Sequence, residues 1–413
     1  MKRLGLLLSI FLLAGAVEPA KAQGFPQPPQ ISPHQFALMA WGDSPSDPKQ
    51  LDWMRQAGLN ISGFCSPADL NKVKAADLSC FVSDPRVNGY DWAKMPDKGQ
   101  VLKNVTAAAQ ELQNHPAALG FFLRDEPGAP LMPGLGEVVS AVRHAAPGAW
   151  SYINLFPNYA TESQLGTPTY DAYVRKFIDE VHPSFFSYDN YSLIDGKMTE
   201  RYYTNLATVR RLSLKAGIPF WNVVLGDTLF NYMEPSYATF RLQAYSTMAY
   251  GGRGICYYQY FASPHGNYRL APVDQFGNRT PTWGKMQLIN NQIRELAPWL
   301  ARLRSTGVYH SDPVPEGEKP MSESRLVKDV VAHNHLKPST PAPYLIGEFM
   351  DSDGHPFLMI VNKDLGNSIS FAIHLKQENK RLYQISPYDG KEQLFQGEMM
   401  WLSPGAGALF EIK

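Results

Sequence analysis

The stretch Leu119-Gly120-Phe121-Phe122-Leu123-Arg124-Asp125-Glu126-Pro127 opens as a short apolar run and stops abruptly in charge and proline. A run of this length, bounded by turn-forming residues, reads as a strand buried on both faces. A segment of helical period follows, Leu135–Ala145, and then a second run, Ser151–Phe156. Strand, helix and strand within about 40 residues make the unit of a parallel sheet, whose crossover is right-handed.

The same alternation extends in both directions, from His34 to about Arg304. The predicted strands are Phe36–Trp41, Ile61–Cys65, Ser79–Ser83, Leu119–Arg124, Ser151–Phe156, Phe185–Tyr191, Phe220–Leu225 and Ile255–Phe261. Amphipathic stretches lie between them, among them Pro48–Ala57, Val101–Asn114, Tyr170–Val181, Thr199–Ala216 and Tyr237–Tyr250, with a last long one over Trp283–Leu303. Eight such units in about 270 residues suit an α/β fold of the (β/α)8 TIM barrel type. A dinucleotide-binding sheet would want G-x-G-x-x-G after its first strand, where this chain has Trp41-Gly42-Asp43-Ser44-Pro45. Beyond Ser311–Ser324, rich in proline, the period changes to two in Tyr344–Phe349, Phe357–Asn362, Ser368–Leu375, Arg381–Ile385 and Gly407–Ile412. The expected organisation is a barrel over residues 23–310, a linker over 311–329 and a small all-β sandwich domain over 330–413.

Among 413 residues, 38 are basic and 38 acidic, 44% are hydrophobic and 12% aromatic. A balanced charge offers no footprint for nucleic acid or for an anionic membrane surface, and the apolar content excludes disorder. Lys2 and Arg3 precede the apolar run Leu4–Val17, and Ala20-Lys21-Ala22 supplies a small-x-small pattern. Residues 1–22 therefore read as a secretory signal peptide cleaved near Ala22, too short in its apolar part for a membrane span, and the chain is expected to be secreted or periplasmic. Cys65, Cys80 and Cys256 each fall in an apolar run. Buried free thiols are the expected state, rather than a disulfide.

In an eight-stranded parallel barrel the functional groups stand at the carboxyl ends of the strands. Read there, the chain presents Trp41 and Asp43 after strand one, Arg124, Asp125 and Glu126 at strand four, Asn154 at strand five, and Tyr188, Asp189 and Tyr191 at strand six. Trp221, Asn222 and Asp227 accompany strand seven, and Tyr258, Gln259 and Tyr260 strand eight. Strand alternation places Phe122, Arg124 and Glu126 on one face, so an inward Phe122 implies an inward Glu126 at the rim. Asp125 can press a second negative charge on Glu126 and raise its pKa, as a general acid near neutral pH requires. The competing reading of Asp125-Glu126-Pro127 is that it merely opens the next helix. Asp189, two strands away, is the expected partner carboxylate, since paired carboxyls flanking a sugar are what glycoside cleavage needs.

The other polar and aromatic residues at the strand ends are candidate substrate contacts, because ring faces stack on sugar faces and Tyr and Trp tips bond hydroxyls. About half of the strand-end rings are expected to be core instead. Asp43, Asp227 and Glu234 are weaker carboxylate candidates. No cofactor is expected, and no metal: H-E-x-x-H, a phosphate loop and a Gly-x-Ser-x-Gly elbow are missing from the sequence, and Asp351-Ser352-Asp353-Gly354, with His355 behind it, reads as a hairpin turn rather than a calcium loop.

With those residues in view, the chain resembles secreted bacterial glycoside hydrolases built on a (β/α)8 barrel. The likeness rests on Gly120 through Pro127, on Ser187-Tyr188-Asp189-Asn190-Tyr191, on Arg241-Leu242-Gln243-Ala244-Tyr245, on Ala249-Tyr250-Gly251-Gly252 leading to Gly254-Ile255-Cys256-Tyr257-Tyr258, and on Asn278-Arg279-Thr280-Pro281-Thr282. Two patterns within that class compete. In the clan of retaining enzymes that includes β-galactosidases, an Asn and then the acid/base Glu end strand four, and a nucleophilic Glu ends strand seven. Glu126 matches the first position, Asp125 departs from the Asn, and the seventh strand has no Glu. In hexosaminidase- and chitinase-like barrels an Asp-Glu pair ends strand four, a Tyr-Asp pair sits on strand six, and the 2-acetamido group of the substrate is the nucleophile. Asp125-Glu126 and Tyr188-Asp189 match that arrangement. The resemblance implies an exported enzyme acting on oligo- or polysaccharide, with Glu126 as general acid and Asp189 or Asp125 as its partner. The alternative from another class is a barrel that binds carbohydrate without cleaving it.

Overall fold

The computed structural model describes residues 36–112, 115–395 and 400–413. The signal peptide expected over residues 1–22 lies outside the described residues. Eight parallel strands close into a barrel: β1 (Ala37–Ala40), β2 (Ile61–Cys65), β3 (Ser79–Val82), β4 (Ala118–Asp125), β5 (Trp150–Leu155), β6 (Phe186–Asp189), β7 (Phe220–Leu225) and β8 (Gly254–Tyr258). Each strand bonds to its neighbours in sequence, and β8 closes on β1 with Ala37 opposite Gly254 and Ala40 opposite Tyr257.

The helices form for local reasons that are plain along Tyr170–Val181. Thr169 caps its start by accepting the Ala172 N–H at 3.1 Å. Tyr170, Tyr173, Val174, Phe177 and Val181 then recur at helical spacing, so one stripe is buried against the barrel wall. His182 stops the helix in the left-handed conformation.

Alternation along the strands divides the barrel into two cores. Phe81, Tyr152, Phe185, Trp221, Val223 and Cys256 point inward and fill the interior. Cys80, Val82, Ile153, Tyr188, Phe220 and Tyr257 point outward and pack under the helices. Rings dominate the interior: Phe185 and Trp221 lie 4.6 Å apart, and Trp150 and Phe185 also 4.6 Å. The barrel is therefore plugged by side chains, and functional groups collect at its carboxyl end.

The expectation for the cysteines is corrected here: Cys65 and Cys80 form a disulfide, with Cα atoms 6.2 Å apart, while Cys256 is free and buried. Adjacent β2 and β3 present both side chains on the outward face at neighbouring levels, which pairing register reveals and residue spacing alone does not. The bridge closes a loop of 15 residues, for which chain entropy gives about 3 kcal/mol. The double variant Cys65→Ala/Cys80→Ala is expected to unfold at lower urea with a loss near that size; an unchanged midpoint would contradict it.

The β-rich part begins earlier than its period suggested. Arg304–His310, placed in the barrel region on sequence, pairs antiparallel with Tyr344–Met350, and the strand Val327–Asn334 opens inside the stretch read as linker. Two antiparallel sheets result, one of six strands and one of four, enclosing Val327, Ile346, Leu358, Ile360, Ile369, Phe371 and Phe410. The six-stranded sheet is buried on its other face too: Leu345, Phe357, Met359, Val361 and Leu409 join the barrel's outer core. The helix Tyr237–Ala249 lies directly against it. A Cβ on Gly347 would stand 2.1 Å from the Ala249 carbonyl oxygen, so only glycine allows this approach. The module is thus packed rigidly on the barrel.

Candidate functional site

A bulge in β4 decides where the acidic residues go. Phe122 pairs level with Tyr152, but Arg124 is level with Ile153 and Asp125 with Asn154. The inward row therefore passes from Phe122 to Asp125, and the expected alignment of Phe122, Arg124 and Glu126 on one face does not hold. A bulge of this kind re-aims side chains at functional rims. Arg124 is exposed and level with an outward residue, and only its charge reaches Asp125. Glu126 follows the strand with φ +43°, a left-handed conformation costing a non-glycine residue about 1 kcal/mol or more. Its N–H is anchored on the Asn154 carbonyl at 2.8 Å, and the turn swings its side chain inward.

The three carboxylates meet around Asn154. The Asn154 Nδ2 donates to Asp125 Oδ1 at 3.1 Å and to Asp189 Oδ1 at 3.0 Å. Its Oδ1 accepts from Ser187 Oγ at 3.0 Å, and Ser187 shares a 2.7 Å bond with the Tyr152 hydroxyl. The chain of bonds locks Asn154 and hence Asp189. Asp189 is only 4% exposed, and the charge of Glu126 acts on it. Asp125 is open to solvent in the mouth.

Burial and mutual repulsion hold protons on this group. Glu126 is pushed up to about 7, first by desolvation and then by the Asp125 charge, against the favourable bond to Asp189. Asp189 is driven well above the carboxylate range by burial, with Glu126 and Asp125 adding to the effect. Asp125 also rises, because the groups around it thin the water at its exposed carboxyl, despite its bond to Asn154. Carboxyls that act on one another in a desolvated site cannot all ionise cheaply, so the group retains a proton near neutrality.

Aromatic rings wall the mouth. Trp41 lies 5.7 Å from Tyr258, edge to face, and Tyr258 stacks on Tyr191 at 5.3 Å. Asp43 is exposed on the rim, its backbone bridged to Phe64. Gln259, half-buried, follows Tyr258.

Several residues read as substrate contacts lie elsewhere. Tyr188 is fully buried in the outer core beside inward Asp189. Trp221 is deep in the interior plug, level with Gly254 at the start of β8. Asn222 points outward, donating to the Tyr202 hydroxyl at 3.1 Å and to Thr247 Oγ1 at 2.9 Å. Tyr260 is buried and accepts from Trp283 Nε1 at 3.0 Å. One strand residue decides inward or outward, and with Arg124 five of the twelve substrate-contact assignments fall on the wrong side or level. Glu234 is exposed.

Asp227, just past β7, is fully buried, and neither carboxylate oxygen has a hydrogen-bond partner. Desolvation lifts it to about 7, more than the nearby Gln259 N–H draws it back. Its folded value exceeds its ordinary one of 3.8, so the protein loses stability as pH rises from about 4 to about 7, by about 4 kcal/mol in all. Asp227→Asn is expected to gain stability over the parent at pH 8 and little at pH 4; a difference independent of pH would refute this.

Tyr159 was missed. It stands one residue beyond the Asn158 that closes the fifth strand's polar end, and its hydroxyl accepts the Tyr191 N–H at 3.1 Å. The charges of Asp189 and Glu126 both act on it. An extended reading of the loop after β5 would have included it.

Among the described residues, Asp351, Asp353 and His355 are the group that could hold a metal ion. Asp351 instead accepts the N–H groups of Asp353 and His355, the bonding of a hairpin turn. No described helix is long and apolar enough to cross a membrane.

No family model matches the sequence, and none of the curated proteins does. Solved structures share its architecture. A β-galactosidase from Bacillus circulans sp. alkalophilus superposes with a TM-score of 0.63 at 9% identity, over 92% of this chain and 99% of that one. A glycoside hydrolase family 5 protein from Bacteroides vulgatus ATCC 8482 gives 0.55 at 12% identity, over 92% and 89%. A β-galactosidase from the psychrophilic Marinomonas ef1 gives 0.50 at 11% identity over 66% of this chain, which spans 63% of that enzyme. The fold is thus one shared with glycoside hydrolases, barrel and trailing β-module together. At these identities the likeness is of fold alone.

Proposed function

We propose that the chain is an exported glycoside hydrolase in which Glu126 is the general acid. The observation that carries this reading is the gathering of Asp125, Asp189 and the half-buried Glu126 around Asn154 at the carboxyl end of the barrel, with Glu126 held at about 7. Such a group keeps its proton at working pH yet can give it to a glycosidic oxygen. Trp41, Tyr191 and Tyr258 supply the ring faces that a sugar stacks on. Export is supported by the segment 1–22 and by the Cys65–Cys80 disulfide, which suits an oxidising compartment.

Asp189 is 4% exposed with the Glu126 charge acting on it, so it presents little open face to an anomeric carbon. The pair therefore serves as one proton reservoir, and a third group attacks the anomeric carbon or activates water. Asp125, open to the mouth, is the first choice. The 2-acetamido group of the substrate is the second, favoured by the burial of Asp227, which withdraws the carboxylate nearest the end of β7.

A screen of the purified protein against aryl-glycosides and plant, host and microbial glycans tests the proposal. Turnover that declines as pH rises through about 7 is expected, because the acid must be protonated. Turnover limited to 2-acetamido sugars would select the substrate-assisted branch. Sugar binding with no turnover of any substrate would overturn the hydrolase reading in favour of a binding protein.

A further inference from the structure

Beside the carboxylates, on the side of the loops after β5 and β6, is a cavity of about 550 Å³ lined by Tyr159, Tyr191, Tyr232, Arg201, Thr204 and Glu316. We propose that it is a sugar subsite continuous with the reaction centre. The substrate would then be a carbohydrate chain of at least two or three units, running from the barrel mouth toward the β-rich module. This inference rests on the glycosidase reading and adds the length and direction of the substrate.

Continuity with the mouth comes from shared residues. Tyr191 lines the cavity, and its ring stacks on Tyr258 at 5.3 Å. Tyr159 lines it too, with its hydroxyl on the Tyr191 N–H and within reach of the Asp189 and Glu126 charges. A ligand held there sits next to the pair.

The lining selects the ligand's chemistry. Tyr191 and Tyr232 put rings 6.1 Å apart in the lining, and Thr204, Arg201 and Glu316 add donors and acceptors. Ring faces with scattered hydrogen-bonding groups suit a polyhydroxylated ring better than an aliphatic chain. Glu200 and Glu316 against Arg201 make the lining unfavourable for an anion. Its volume falls in the range of small-molecule sites, roughly 300–1000 Å³.

The walls are held in place from several elements. Asn158 Nδ2 donates to the Arg201 carbonyl at 3.0 Å and to Thr204 Oγ1 at 2.9 Å, tying the first turn of the helix Glu200–Ala216 to the loop after β5. Ile194 bridges to Tyr232, and the Met233 N–H bonds the Leu193 carbonyl at 2.9 Å. Glu316 comes from the segment following Arg304–His310, so the β-rich part of the chain completes the cavity.

The test compares a monosaccharyl fluoride, which has no second sugar, with the trisaccharides cellotriose, mannotriose, galactotriose and chitotriose. For whichever trisaccharide the parent enzyme cleaves, the ratio of its kcat/KM to that of the matching fluoride is measured in Tyr232→Ala and Glu316→Ala. Loss of a stacking ring is expected to lower that ratio roughly three- to tenfold in Tyr232→Ala. Glu316→Ala, at an exposed position, should lower it in the same direction. Ratios that stay within about twofold of the parent in both variants overturn the subsite. A parent enzyme that cleaves neither fluoride nor trisaccharide overturns the glycosidase reading itself.

Discussion

Glu126→Gln is expected to lower kcat/KM on an unactivated disaccharide by about two to four decades while leaving the fold intact. Glutamine keeps the length and planarity of the side chain but has no transferable proton. The backbone needs no adjustment, because the left-handed turn at Glu126 is fixed by the N–H bond to the Asn154 carbonyl, which the variant retains. The amide occupies the same space beside Asp189, so the mouth keeps its shape. The loss therefore reports chemistry, and thermal unfolding near the parental temperature would confirm that it does.

Asp189→Asn is expected to lower turnover by about two decades for a different reason, and to move the alkaline limb of the pH profile downward. An asparagine there can offer its carbonyl to Asn154 Nδ2, as Asp189 Oδ1 does at 3.0 Å. Its amide nitrogen then faces Glu126 and donates to it. A permanent donor lowers a carboxyl's pKa further than a carboxyl that can itself lose its proton and repel the charged form. Glu126, held at about 7 in the parent, would ionise earlier and be the wrong species at neutral pH. Measured kcat/KM against pH is the check. A limb that stays in place with a merely lower plateau would mean that Asp189 does not share the proton of Glu126.

The barrel was legible because parallel strands buried on both faces are continuous apolar runs, and each of the eight was located to within a few residues. The β2 and β7 bounds, Ile61–Cys65 and Phe220–Leu225, match residue for residue. What was not legible depends on register. The bulge after Phe122 exchanged the roles of Arg124 and Asp125, and no local pattern marks it. Tyr188, Asn222 and Tyr260 look like rim residues in a string of letters. Each sits one position from an inward or mouth residue, and packing against helices claims it. The Cys65–Cys80 bond likewise depends on two strands being neighbours with both thiols on one face. Glu126 and Asp189 were legible as candidates because chemistry-bearing residues collect at strand ends. That Glu126 turns inward toward Asp189 was not, because it follows from the left-handed turn at Glu126.

The most direct test of Glu126 as the proton donor pairs two substrates of one sugar, a dinitrophenyl glycoside and an unactivated disaccharide, in the parent and in Glu126→Gln. A dinitrophenolate leaves without protonation, whereas a sugar hydroxyl does not. A loss of about two to four decades on the disaccharide is expected, with about tenfold or less on the dinitrophenyl glycoside. Equal losses on both substrates, or none on the disaccharide, would contradict the assignment of Glu126 as the general acid.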